Sequence, residues 1–215
     1  GYSSGVISTT NQKVSQFTGT AYVHGQVADF RYTPSTYKPS GGIVTNQTAD
    51  ALLDQANLDA LAASRSYAKL APNQTLGVIN DINITINSTG PVNVISIASI
   101  NMNSDIFTMN SRSGFEDVFI FNVLGDFAWS QSAVTGTALA SNIIWNFPNS
   151  SSIDINKEST VFLGTILAPT GSVIYHNPAS FDGAIIARDI NLHSMFNLEG
   201  IPSNVPEPAT LGLWA

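Results

Sequence analysis

With 215 residues and a net charge of −7, from 8 basic against 15 acidic side chains, the chain has the length of one domain or two small ones. Its few scattered cations exclude a nucleic-acid partner. It contains no cysteine, which excludes a disulfide framework and any thiolate metal site, and no apolar run approaches the roughly 18 residues of a membrane-spanning helix. Only 11% of residues are charged, and their place is taken by 20 Asn, 25 Ser and 18 Thr, residue types suited to turns and exposed strand faces; this polar dress fits the mature part of an exported protein.

The first element with a clear period is a helix. Leu52, Leu53, Ala56, Ala60, Leu61, Ala63, Tyr67 and Leu70 recur near helical spacing and predict a helix over about 48–70. Thr48 serves as N-cap, Asp50 suits the first turn, and Pro72 ends the run. Its Ala-rich face can press closely on another surface. Almost everything after it reads as short strands, over Leu76–Ile86, Val92–Ile100, Ile106–Met109, Val118–Val123, Ile143–Phe147, Ile153–Ile155 and Val161–Leu167, divided by Asn, Ser, Gly and Pro. The chain is therefore all-β in character with one long helix.

An internal repeat refines that reading. Phe17-Thr18-Gly19-Thr20-Ala21 aligns with Val134-Thr135-Gly136-Thr137-Ala138, with Phe162-Leu163-Gly164-Thr165-Ile166 and with Phe181-Asp182-Gly183-Ala184-Ile185. A period near 20 residues, with glycine at a tight corner, is the pattern of a solenoid in which each coil buries its inner side on the next. It predicts a right-handed β-solenoid (β-helix) with the helix packed alongside and with Gly19, Gly136, Gly164 and Gly183 as repeat corners. Ordinary hairpins sharing a glycine are the plainer alternative, and four matches with agreeing flanks weigh against it.

Chemistry is hard to find. His24, His176 and His193 fall at different offsets from the repeat glycines, which predicts that they do not stack in one column. The carboxylates Glu116, Asp117, Asp126, Asp154, Asp182 and Asp189 read as solvated turn residues, and no catalytic motif brings a pair together. No catalytic residue and no cofactor is expected; calcium at Asp-rich turns stays open, although no Asp-x-Asp-x-Asp-Gly loop is present. Thr20, Thr137 and Thr165 align within the repeat and would suit an ice-ordering ladder, but the fourth copy has Ala184. Trp129, Trp145, Trp214, Tyr22, Tyr32 and Tyr37 are candidates for a sugar- or protein-binding face, with core packing the plainer role for Trp145. The Asn-x-Ser/Thr sequons at Asn46, Asn73, Asn83, Asn87 and Asn149 matter only in a glycosylating source.

Two stretches carry a resemblance. The order Ser141-Asn142-Ile143-Ile144-Trp145-Asn146-Phe147, Gly164-Thr165-Ile166-Leu167-Ala168-Pro169 and Phe181-Asp182-Gly183-Ala184-Ile185-Ile186-Ala187-Arg188 resembles the choice-of-anchor A domain of bacterial surface proteins. The tail Val205-Pro206-Glu207-Pro208-Ala209-Thr210-Leu211-Gly212-Leu213 resembles the PEP-CTERM sorting signal, which in that family precedes a membrane span and a basic stretch. Together they imply a surface domain over 1–203 and a sorting tail over 204–215. They also imply an extracellular, non-enzymatic protein for adhesion or biofilm matrix, touching a membrane only through a C-terminal span not present in the sequence. Val205, Pro206, Glu207, Pro208, Leu211, Leu213 and Trp214 would form the sorting or docking element. A homo-oligomeric filament with this tail docked on a neighbouring copy is the first alternative, and an ice- or carbohydrate-binding module the second; the partners foreseen are the extracellular matrix, a polysaccharide or further copies of the chain.

Overall fold

The computed structural model describes the strands Tyr2–Ser3, Ile7–Thr9, Ala21–Val23 and Ile43–Val44, then residues 47–193 apart from 150–151, 157–159 and 177–179. Gly19 and the tail residues Val205, Pro206, Glu207, Pro208, Leu211, Leu213 and Trp214 lie outside the described residues.

The helix runs Gln47–Ala68. It closes with a turn in which Lys69 N–H donates to the Ser66 carbonyl and Leu70 N–H to that of Tyr67, just before Pro72. From Gln74 onward the chain is a β-solenoid of about five turns with the helix alongside. Among the described residues no helix is long and apolar enough to cross a membrane.

Every pairing within the solenoid is parallel, and the register divides its surface into three faces. Face a stacks the first half of Val92–Asn103 with Val118–Val123, Ile143–Asn146, Thr165–Ala168 and the start of Ile185–His193. Face b stacks the end of Gln74–Asn80, the second half of Val92–Asn103, Phe127–Ser130, Ser152–Asn156, Ser172–His176 and the end of Ile185–His193. Face c stacks Ile84–Asn87, Ile106–Asn110, Ala133–Gly136, Val161–Leu163 and Ser180–Asp182. Val92–Asn103 and Thr165–His176 turn a corner without breaking and so serve two faces each. Ile79, Ile100, Phe127, Ile153, Val173 and Ile190 share one column, so neighbouring coils are 17 to 27 residues apart. The extra residues of the longer coils form loops at the corners.

Alternation places one set of columns inside. Phe107, Phe119, Phe121, Phe127, Trp129, Trp145, Phe147 and Phe162 fill the middle, all nearly or fully buried. Phe121 stacks on Trp145 with centroids 4.4 Å apart, and Phe107 meets the same indole edge-on at 5.4 Å. Each buried indole N–H is satisfied: Trp129 donates to the Ser132 carbonyl and Trp145 to that of Leu163, both at 2.9 Å.

The corner from face c to face a is where glycine is required. Gly136, Gly164 and Gly183 have φ of +114°, +108° and +150°. A Cβ on Gly183 would strike the carbonyl oxygen of Gly164 one coil away, and one on Gly136 the carbonyl of Met109. At the far end Ile7–Thr9 pairs with Ile185–His193, adding a strand from the start of the chain to the last coil and pairing what would otherwise be an open sheet edge.

Candidate functional site

The three faces differ in what lies outside them. Face a is covered by the helix. Ala60, Ala63 and Tyr67 pack on Ile120, Ile144 and Leu167, whose columns point outward on this face. Two amides tie the layers: Asn122 donates to the Tyr67 carbonyl at 2.9 Å and Asn146 to the Ser64 carbonyl at 3.0 Å, while Asn146 also donates to Asn122 Oδ1 at 2.7 Å.

Face c is open and carries ordered polar ladders. Thr85, Thr108 and Thr135 occupy one outward column, and the Thr108 and Thr135 hydroxyls lie 3.1 Å apart. Beside them Asn110 donates to Asn87 Oδ1 at 3.0 Å, and on the other flank Asn83 Oδ1 accepts the Ile106 N–H at 2.7 Å. Ile106 and Ala133 form a third, apolar column. Ile84–Asn87, Ile106–Asn110 and Ala133–Gly136 contain no charged residue; Asp182, two coils further on, is the first. Successive rungs repeat at about 4.8 Å along the axis. The face is thus a grid of hydroxyl, amide and methyl groups with fixed spacing.

Both borders of the grid are held rigidly. On the side toward face a, buried Asn93 accepts the Thr89 N–H at 2.8 Å and donates to Ser88 Oγ and to the Gly90 and Val118 carbonyls. In the next corner Asp117, 1% exposed, takes the Arg112 guanidinium at 2.6 Å and the Arg112 backbone N–H at 2.8 Å. The Arg112 hydrogen bond holds the Asp117 carboxyl well below the usual carboxylate range, against the opposing pull of desolvation. On the side toward face b, Ser132 donates to the Ser130 carbonyl at 2.9 Å and accepts the Asp105 N–H at 3.1 Å.

Face b carries charge. Its outward columns run Asn80, Asn101, Ala128, Asp154, Ile174, Asn191, with Asp189 beside Ser172. Asn101 donates to Asn80 Oδ1 at 2.7 Å. Here the structure corrects the expectation that the histidines do not stack: His176 and His193 share a register position. The reason is local. Three residues lie between Ala168 and Ser172 where one lies between Ala187 and Asp189, which cancels the different offsets from Gly164 and Gly183.

The threonines aligned on the repeat do not form the ladder. Thr165 pairs with Ile144 and is nearly buried on face a, Thr137 lies past the corner with its hydroxyl accepting the Ser111 N–H at 3.0 Å, and Thr20 is outside the described residues. The observed column shares the register of the residue before Gly136, in the triplets Ile84-Thr85-Ile86, Phe107-Thr108-Met109 and Val134-Thr135-Gly136. An apolar-Thr-apolar pattern was the signal that an alignment anchored on glycine passes over. The carboxylates do not pair for acid–base work: Asp117 is bound to Arg112, and Asp189 accepts Arg188 Nε at 2.8 Å. Among the described residues no three His, Asp or Glu side chains gather as metal ligands.

Comparison with known proteins points in one direction. A family model described as "Putative Ice-binding-like adhesive domain" matches residues 2–198. No curated protein matches the sequence. Among solved structures, the fold is similar to that of an ice-binding protein from the Antarctic ascomycete Antarctomyces psychrotrophicus (TM-score 0.64, 16% identity, 90% of each chain covered). It is similar also to an ice-binding protein from an Antarctic biological consortium (TM-score 0.58, 20% identity, 88% of this chain and 82% of that one). An ice-binding protein with antifreeze activity from an Arctic yeast follows at TM-score 0.52 and 16% identity, with 94% and 93% covered.

Proposed function

The chain belongs to the ice-binding-like adhesive domain family, and from that premise we propose that it is an exported, non-enzymatic domain that adheres to ice through face c. The observation that carries this reading is the uncharged grid of Thr85, Thr108 and Thr135 beside Asn87–Asn110 and Ile106–Ala133. A charged group imposes its own hydration geometry, whereas spaced hydroxyls and methyls hold water at an axial repeat of about 4.8 Å, comparable with oxygen–oxygen repeats in ice. Because the grid is rigid before binding, little conformational entropy is lost on contact. The surface-protein and sorting-tail resemblances supply the setting, a domain displayed outside the cell.

The test is thermal hysteresis and ice-crystal shaping by the purified chain, with Thr108→Tyr and Thr135→Tyr against Asn101→Tyr on face b. Activity in the wild type, lost in both threonine variants and kept in Asn101→Tyr, supports the assignment. Loss in Asn101→Tyr with activity kept in the threonine variants moves the ice contact to face b, and no activity in the wild type ends the reading.

A further inference from the structure

The two ends of the solenoid are finished differently. The last coil is capped by Ile7–Thr9, which pairs with Ile185–His193. At the first coil, Gln74–Asn80 pairs with Val92–Asn103 and Ile84–Asn87 with Ile106–Asn110, and among the described residues no strand takes the other edge of either. The core is cut open there. Ile97 and Phe107 are fully buried, whereas Leu76 and Ile84, their partners in the same inward columns, are only partly buried. Val78 is 70% and Ile82 53% exposed, and a Cβ on Gly77 would meet nothing within 4 Å. Edge strands are normally blunted by charge or proline, yet from Asn73 to Gly90 the chain has no proline and one charge, Asp81.

We propose that the first coil is the docking surface for a second copy of this chain, joined end to end about a twofold axis. An extended peptide added to one edge leaves the other bare. The exposed core lies between two strands on different faces, and a coil of the same outline covers both at once. Antiparallel pairing supplies it. Centred between Gly77 and Val78, it sets Leu76 opposite Ile79 of the second copy and Asp81 opposite Gln74; centred on Thr85, it sets Ile84 opposite Ile86. Inward apolar residues then meet their like, and no two charges of one sign face each other. The net charge of −7 opposes contact between copies through more acidic surfaces. One coil in cross-section is less than the about 1,200 Å² of a standard interface, so the dimer is weak and forms at high concentration. Its consequence rests on the ice reading: Thr85, Thr108 and Thr135 of both copies form one line on one plane, which doubles the grid and strengthens ice contact by avidity.

The experiment is sedimentation velocity of the full chain in ice-free buffer, at concentrations up to about 1 mM. A monomer–dimer equilibrium is expected in the wild type. Val78→Lys and Ile82→Lys each weaken it about tenfold or more by setting like charges at the contact, and Leu58→Lys, equally exposed on the helix, leaves it unchanged. A second measurement locates the axis. The chain has no cysteine, so Thr85→Cys should give a disulfide-linked dimer under mild oxidation faster than Leu58→Cys does. A wild type that stays monomeric throughout overturns the proposal. So does a dimer that survives both Val78→Lys and Ile82→Lys or is lost in Leu58→Lys, and so does cross-linking of Thr85→Cys no faster than that of Leu58→Cys. Association is read without ice, so its failure and the failure of the ice assignment are told apart.

Discussion

Faces a and c are neighbouring sides of the same coils, built on one core, yet one is covered by a helix and the other is open. The difference lies in the outward columns. On face a they are aliphatic, with Val94, Ile120 and Ile144 in register, and they include two asparagines whose amides reach helix carbonyls. On face c the outward groups satisfy one another along the axis, Thr108 with Thr135 and Asn110 with Asn87, and need no covering layer. The alternation that fills the core is common to both faces, so it decides that a solenoid forms but not which side is buried. The chemistry of every second residue decides that.

The contrast can be broken most directly by giving each face the same charge. Ile144 is 5% exposed beneath the helix, so Ile144→Asp buries an unpaired carboxylate and should cost about 3–5 kcal/mol. Thr108→Asp, on the open face, should stay within about 0.5 kcal/mol while abolishing ice activity. Urea denaturation measures both, and equal losses would show that face a is not sealed. The corner between the two faces comes next. Gly183→Val meets the Gly164 carbonyl and forces a valine to φ +150°, for a loss of about 2–3 kcal/mol in the same assay. Asn146→Ala strips the donor from Asn122 Oδ1 and the Ser64 carbonyl and should cost about 1–3 kcal/mol, with the helix fraying before the solenoid in hydrogen exchange.

Acid probes the same corner three coils earlier. Asp117 is depressed in the folded state, so its contribution to stability is fully present above the unfolded carboxyl value of about 3.9 and is lost as pH falls below it. Unfolding midpoints measured from about pH 5 downward should fall more steeply in the wild type than in Asp117→Asn. Parallel curves would mean that the Arg112 pair contributes nothing measurable.

The parts of this fold that were legible in the sequence are those with strong periods. The Ala-rich helix, the alternating runs at Val92 and Val118 and the glycine-cornered repeat each have a single physical cause, and the helix and the solenoid stand as read. Phe127–Ser130 and Ala133–Gly136 were missed because only Gln131 and Ser132 divide them, with no Gly or Pro to mark the turn. The threonine column was missed because register, not distance from a glycine, determines which residues align. Corner loops of unequal length shift that distance from coil to coil. The same shift hid the His176–His193 pairing, which depends on two extra residues between Ala168 and Ser172. Nothing in a single sequence reports such insertions until the strands are laid side by side.

The smallest expected effect concerns the corner between faces b and c. The corner toward face a uses glycine at φ above +100°, where other residues are strained, whereas this one uses ordinary residues in the left-handed region: Asp81 at +46°, Ser104 at +67° and Gln131 at +49°. Each sits where its N–H donates to a carbonyl on the next coil: Asn101, Ser130 and Asn156 respectively. A backbone bond of this kind does not depend on the side chain, so replacing exposed Gln131 with glycine keeps it and removes the left-handed strain of about 1 kcal/mol. Glycine also gives the unfolded chain more freedom, which takes back part of that gain. Gln131→Gly should therefore stabilise by about 0.5 kcal/mol, a rise of one or two degrees in melting temperature for a chain of this size. A loss instead would show that the Gln131 side chain supports the corner. The two corners of face c would then differ in how they are held as well as in backbone conformation.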